Sequence, residues 1–219
     1  MRLVVLVQFL DTKLKNIKMI VFDLDGTIAD TNKLIITTFE KILKVNKKII
    51  VNNMGPPSKK MIKNIFKNIS EKKVNFLNNC WEREYKKRLC KENLLNQNTI
   101  STLKCLRKKY ILGIITSSSK KITTLTLKEN YFLFDFVICS EDYVEHKPNP
   151  KALLEIIKKK KIKKENAVYI GDNIIDIKFG KNAKIKTVGK VDILYSELKL
   201  KKENPDYIIK KIEDLKCLL

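Results

Sequence analysis

A chain of 219 residues exceeds the usual single-domain size, so one domain carrying an insertion, or two small domains, is expected. Hydrophobic residues make up 44%, enough to build a core, which excludes a wholly disordered chain. The formal net charge of +22 is almost all lysine, dispersed over helix faces such as residues 158–161. With arginine only at Arg2, Arg83, Arg88 and Arg107, it argues for compositional bias and against a base-reading nucleic-acid surface.

Residues 1–10 hold a short apolar stretch followed by a poor cleavage region, which argues against a signal peptide. An extra edge strand is expected there, with translated leader ahead of Met19 as the alternative. Residues 18–22 form an apolar run ending in Asp23-Leu24-Asp25-Gly26-Thr27, the pattern of a buried parallel strand stopping at a glycine turn. From Thr31 to Asn98 the period becomes helical. Leu34, Ile35, Thr38, Phe39, Ile42 and Leu43 line one face. Ser58 is expected to cap a second helix carrying Met61 to Ile69, and Ser70 a third through Val74, Leu77, Trp81 and Tyr85. Residues 54–57, Met-Gly-Pro-Pro, separate the first two.

Strand and helix then alternate. Strands are expected at residues 111–115, 136–139, 167–170, 185–188 and 207–209. Asn149 is expected to cap a helix with Pro150 at its first position, and a helix closes the chain. Repeated strand–helix units imply an α/β fold: a Rossmann-like parallel sheet with ligands at the strand carboxyl ends. The helical segment is then an inserted cap, residues 31–99, in a core formed by residues 1–30 and 100–219.

Cys80, Cys90, Cys105, Cys139 and Cys217 form no C-x-x-C pair and are odd in number, the usage of reduced thiols in a cytoplasmic protein. No apolar run reaches the length of a membrane span.

The polar groups suited to chemistry fall at predicted strand ends. Asp23 and Asp25 lie two apart, and Gly26 permits a backbone path that brings both carboxylates to one ligand. One carboxylate can attack phosphorus while the other handles the leaving-group proton. Neighbouring acids repel, so a divalent cation is needed beside an anionic substrate. Asp172 and Asp176 add hard oxygens suited to Mg²⁺. Thr116 and the following helix N-terminus offer donors to phosphate oxygens, and Lys147 offsets charge on the transferring group. Each residue alone has a plainer reading: Asp favours turns, Asp176 can cap its helix, and Lys147 is one lysine among many. The single histidine, His146, is not required by carboxylate chemistry. Trp81 and Tyr85 are read as cap core, and Lys59 and Lys60 as solvated surface.

Taken in order, these segments resemble the haloacid dehalogenase superfamily. Residues 22–27 match its first motif, Ile114-Ile115-Thr116-Ser117 its second, His146-Lys147-Pro148-Asn149-Pro150 its third and residues 171–176 its fourth. The insertion resembles a C1-type cap, and the whole looks most like the phosphoglycolate phosphatase and PpaX-type pyrophosphatase branch. The resemblance implies a phosphatase in which Asp23 becomes an aspartyl-phosphate and Asp25 is the acid and then the base. It implies Mg²⁺ between Asp23, the Asp25 carbonyl and Asp172, with Asp176 supporting this acidic cluster. Thr116, Ser117 and Lys147 would bind the phosphoryl group. Members that cleave carbon–halogen bonds lack the second aspartate, so Asp25 implies phosphate chemistry.

Two positions depart from the pattern: Ser117 replaces a frequent Asn, and Lys184 follows Ala183 where relatives usually have Gly. The expected partner is a small phosphorylated metabolite: 2-phosphoglycolate, pyrophosphate, or a sugar or nucleotide monophosphate. A β-phosphoglucomutase-like phosphotransferase, or a nucleic-acid-binding protein on an inactive scaffold, are the alternatives.

Overall fold

The computed structural model describes residues 14–219; the expected edge strand within residues 1–10 lies outside them. Six parallel strands form one sheet: β1 (Met19–Phe22), β2 (Ile111–Ile115), β3 (Phe136–Ile138), β4 (Ala167–Gly171), β5 (Lys186–Lys190) and β6 (Tyr207–Ile209). Their order is β3-β2-β1-β4-β5-β6. The chain builds outward from β1 to β3 on one side, then crosses to β4 on the other. The carboxyl ends of β1 and β4 therefore border a topological switch point, where open α/β sheets bind ligands.

β1 is apolar at every position because both faces of the sheet are covered. Ile20 and Phe22 pack with Leu103 and Leu106 of α5 (Gln97–Arg107) on one side. Met19 and Val21 pack on the other with Leu153 of α7 (Lys151–Lys159) and Phe179 of α8 (Ile174–Asn182).

Two strand boundaries differ from expectation for local reasons. β3 stops at Ile138 because the Cys139 N–H donates to the Asp142 carboxylate (2.8 Å) in a one-turn 3₁₀ helix. β5 begins at Lys186, since the Ile185 N–H is taken by the Gly180 carbonyl, and its ladder with β6 reaches Lys190 opposite Ile209.

The segment between β1 and α5 holds four helices where three were expected: α1 (Asn32–Leu43), α2 (Lys47–Asn52), α3 (Ser58–Ile65) and α4 (Glu71–Leu89). The short α2 is started by Asn46, whose side chain accepts from the Lys48 N–H. Ser58 does not cap α3. Pro57 holds that position, and the Ser58 hydroxyl donates to Asn78 Oδ1 of α4 instead (2.6 Å). Ser70 does cap α4. The four helices share a cluster of Leu34, Phe39, Ile50, Ile62, Val74, Trp81 and Tyr85. Within it Phe39, Trp81 and Tyr85 stack, with ring centroids 4.5 and 4.9 Å apart.

α6 (Lys120–Leu127) follows the Ser-rich turn, while α9 (Glu197–Lys201) and α10 (Leu215–Leu218) complete the described helices. α7 starts one residue later than expected, yet Asn149 still accepts from its first N–H (3.0 Å). Lys184 adopts φ +58°, the left-handed conformation that glycine takes without strain. That accounts for the usual glycine there. The five cysteines are unpaired. No helix among the described residues is long and apolar enough to cross a membrane.

Candidate active site

Asp23 follows β1 directly, and its N–H continues the ladder to the Ile170 carbonyl (2.8 Å). The next residues turn sharply. Gly26 sits at φ +78°, and a Cβ there would stand 2.1 Å from Asn32 Nδ2 and 2.3 Å from an Asp172 oxygen. Only glycine permits both the conformation and the close approach.

Lys147 is the hub of the site. Its buried ammonium donates to Asp23 Oδ1 (2.6 Å) and Asp176 Oδ1 (2.9 Å). The Tyr169 and Phe179 rings lie 5.2 and 5.7 Å from the same nitrogen. Asp176 also caps α8, accepting from the Asn173 N–H at 3.1 Å, so its capping role and its place at the site coexist. Asp172, at the end of β4, accepts from Thr27 Oγ1 (3.1 Å) and Asn32 Nδ2 (2.9 Å). The same Asn32 nitrogen also donates to Asp192 Oδ2 (2.7 Å).

Asp25 points elsewhere. Its carboxylate accepts from Thr31 Oγ1 (2.7 Å) and Ser118 Oγ (2.5 Å). Thr116 is buried at the end of β2, and its hydroxyl accepts from the Ser118 N–H (3.1 Å). Ser117 lines the cavity beside it. His146 lines the same cavity with Nδ1 unpartnered, and burial plus the charge of Lys60 hold its pKa below the ordinary value.

Burial dominates the electrostatics. It pushes Asp23 up to about 7; Lys147 opposes the shift, while Asp176 and Asp25 add to it. Asp25 is also raised by burial, against the hydrogen bonds from Ser118 and Thr31. Burial, then the charges of Asp176, Asp23 and Asp192, hold Asp172 well above the usual carboxylate range. Burial pulls Lys147 down, yet Asp176 and Asp23 more than offset it, so it stays firmly protonated. Oxygens of Asp23, Asp172 and Asp176 lie within 4.8 Å of one another, all buried. Several buried carboxylates share one buried ammonium at this point. Their hard oxygen donors and uncompensated negative charge fit a divalent cation.

The catalytic candidates floor a cavity of about 760 Å³ whose opposite wall comes from α1, α3, α4 and the 54–57 turn. Gly55, at φ +117°, lets that turn approach the sheet side; a Cβ there would stand 2.6 Å from Ile175.

All the residues expected at the site therefore converge. The sequence reading missed Thr27, Thr31, Asn32, Ser118, Asp192 and Lys190, whose buried ammonium donates to the Gly26 carbonyl (2.8 Å). The strand-end rule would have found Lys190 and drawn notice to Asp192, had β5 not been ended at Val188.

A family model described as haloacid dehalogenase-like hydrolase matches residues 20–190. Pyrophosphatase PpaX of Bacillus mycoides is 29% identical over 214 residues, spanning 93% of this chain and 97% of that protein. Among solved structures, a hydrolase from Pseudomonas syringae superposes with a TM-score of 0.81 at 20% identity, covering 91% of this chain and 96% of that one. A predicted phosphoglycolate phosphatase from Haemophilus somnus gives 0.80 at 21% identity, covering 92% and 97%. At these identities the two structures show a shared fold.

Proposed function

This chain belongs to the haloacid dehalogenase-like hydrolase family and is a phosphatase of it, and from that premise we propose that it hydrolyses a small phosphate monoester or pyrophosphate through a phosphorylated Asp23. The observation carrying this reading is the buried Asp23–Lys147–Asp176 array flooring the cavity, with Asp25 two residues along. Pyrophosphate enters through the PpaX relative, and 2-phosphoglycolate through the fold neighbour.

Asp23 attacks phosphorus and displaces the leaving oxygen, to which protonated Asp25 gives its proton. The raised pKa of Asp25 supports the acid role, and Thr31 and Ser118 hold its carboxyl in place. Asp25, now ionised, then takes a proton from the water that attacks phosphorus and frees Asp23. Lys147, Thr116 and Ser117 hold the transferring oxygens throughout. Asp23, Asp172 and the Asp25 carbonyl, supported by Asp176, would hold Mg²⁺, which supplies the positive charge that keeps Asp23 ionised beside an anion.

We assign the helices α1 to α4, inserted between β1 and α5, to a cap over the core built on the sheet. The approach of Gly55 to Ile175 supports a cap that excludes water during transfer and reopens for release. Unpaired cysteines support a cytoplasmic location.

Phosphate release from 2-phosphoglycolate, pyrophosphate and sugar and nucleotide monophosphates tests this reading. Turnover is expected with Mg²⁺, falling to background in EDTA and returning when Mg²⁺ is restored. Glucose 1-phosphate should give glucose and phosphate; glucose 6-phosphate as product would favour a mutase. Folded, Mg²⁺-loaded protein inert on the whole panel would contradict the proposal.

A further inference from the structure

We infer that Asn32 and Asp192 form a relay that positions Asp172 for the cation: Asp192 orients the Asn32 amide, and the amide fixes the Asp172 carboxylate. The inference rests on the assignment of Asp172 to the Mg²⁺ site. Both residues act through Asp172 and not on the substrate, so they are positioning residues.

Asp172 is buried just past the end of β4. Thr27 Oγ1 donates to its Oδ1 (3.1 Å), and Asn32 Nδ2 donates to its Oδ2 (2.9 Å). With each oxygen held by one donor the carboxylate plane cannot turn freely, and each oxygen keeps a lone pair for a cation. Asn32 is the first residue of α1 and is 4% exposed. Its side-chain nitrogen carries two N–H groups, enough to serve Asp172 and, at 2.7 Å, Asp192 Oδ2. Turning the amide over would set its oxygen against two carboxylates. The two acceptors together therefore fix which end of the amide faces Asp172. The absence of a side chain at Gly26 leaves the space that this nitrogen fills.

Asp192 stands on backbone fixed from two sides. Lys190, the last residue of β5, donates to the Gly26 carbonyl (2.8 Å), which ties the strand end to the turn carrying Asp23 and Asp25. The Asp192 N–H donates to the Tyr195 carbonyl (3.2 Å), and Leu194 between them is buried in the cluster of the inserted helices. Among the described residues Asp192 forms no ion pair, since Lys190 turns to Gly26 and lies 3.9 Å from Asp30. The catalytic steps give Asp192 no proton and no phosphoryl contact. A further carboxylate beside Asp172 adds repulsion, and a divalent cation relieves it. Partners of this kind behind a metal-binding group set its orientation. Mg²⁺ gains most from that, because it demands near-ideal octahedral geometry where Ca²⁺ does not.

Dissociation constants for Mg²⁺ and Ca²⁺, read from melting temperature against cation concentration in the full chain, test the relay. Asn32→Ala and Asp192→Ala should each weaken Mg²⁺ binding by about 10-fold or more. Ca²⁺ tolerates looser ligand geometry, so its affinity should fall less and the preference for Mg²⁺ should drop about 3-fold. A merely structural defect would not move that preference. The double variant should bind Mg²⁺ within about 2-fold of Asn32→Ala, because Asp192 acts through the amide. Asp192 is only partly buried, so its variant decides the matter if Asn32→Ala does not fold. Asp172→Asn is the control on the underlying assignment. If it weakens Mg²⁺ binding while the Asn32 and Asp192 variants bind like the parent, lose both cations equally or lose affinity additively, the relay is overturned and the cation site stands. If Asp172→Asn itself binds Mg²⁺ like the parent, the site assignment fails, and this inference with it.

Discussion

Asp23→Asn is expected to lower phosphate release by about 10⁴-fold or more, the scale of losing a covalent nucleophile, in a protein that remains folded. The amide oxygen can still accept from Lys147, which lies 2.6 Å from Asp23, but it cannot attack phosphorus. Retention of the fold follows from the charge balance. Burial already pushes Asp23 up to about 7, with Asp176 and Asp25 adding to the shift against Lys147. A neutral side chain there relieves carboxylate repulsion and leaves Asp176 to pair with Lys147. Initial rates with Mg²⁺ check the first half, and thermal melts in EDTA the second. Activity within 10-fold of the parent would move the nucleophile elsewhere.

Mg²⁺ is expected to raise the melting temperature of the metal-free protein, and more so at pH 8 than at pH 5. At a hundredfold excess over Kd, binding to the native state is worth about 2.7 kcal/mol, or about 5–10 °C for a chain of this size. The pH trend follows from Asp23 and Asp172, whose folded pKa values lie above the unfolded carboxylate value near 4. Between about pH 4 and about 7 the metal-free native state holds more protons than the unfolded chain, so these groups make stability fall as pH rises. Their contribution is fully present below the unfolded value and is lost as pH passes the folded one. A cation replaces those protons, so its increment grows as they leave. Global repulsion from the net charge of +22 affects both samples alike and cancels in the increment. Asp172→Asn should shrink the increment. An increment absent at both pH values, or larger at pH 5, would contradict the cation site.

The sheet was legible in the sequence because β1 and β4 are buried on both faces and read as unbroken apolar runs. The acidic residues were legible because they stand where those runs stop. The misses have local causes. The 6-residue α2 is too short for an apolar period to show. Ser58 has the chemistry of a cap, but Pro57 before it and Asn78 across the helix pair gave its hydroxyl another role. The contact of Ser118 with Asp25 is set by how the Ser-rich turn enters α6, which no residue pattern announces. Asn32, which joins Asp172 to Asp192 across 140 and 160 residues, carries no local signal because the pairing is wholly tertiary.

The most direct test of the central claim is acid-quenched mass mapping of Asp25→Ala protein mixed with Mg²⁺ and acetyl phosphate. This anhydride's good leaving group lets transfer proceed without the acid, while the missing base slows attack by water. The phosphoryl group should then accumulate on the peptide carrying Asp23, and Asp23→Asn in the same background should abolish it. A phosphoryl group on another residue, or phosphate released with no phosphorylated peptide at any quench time, would contradict an aspartyl-phosphate at Asp23.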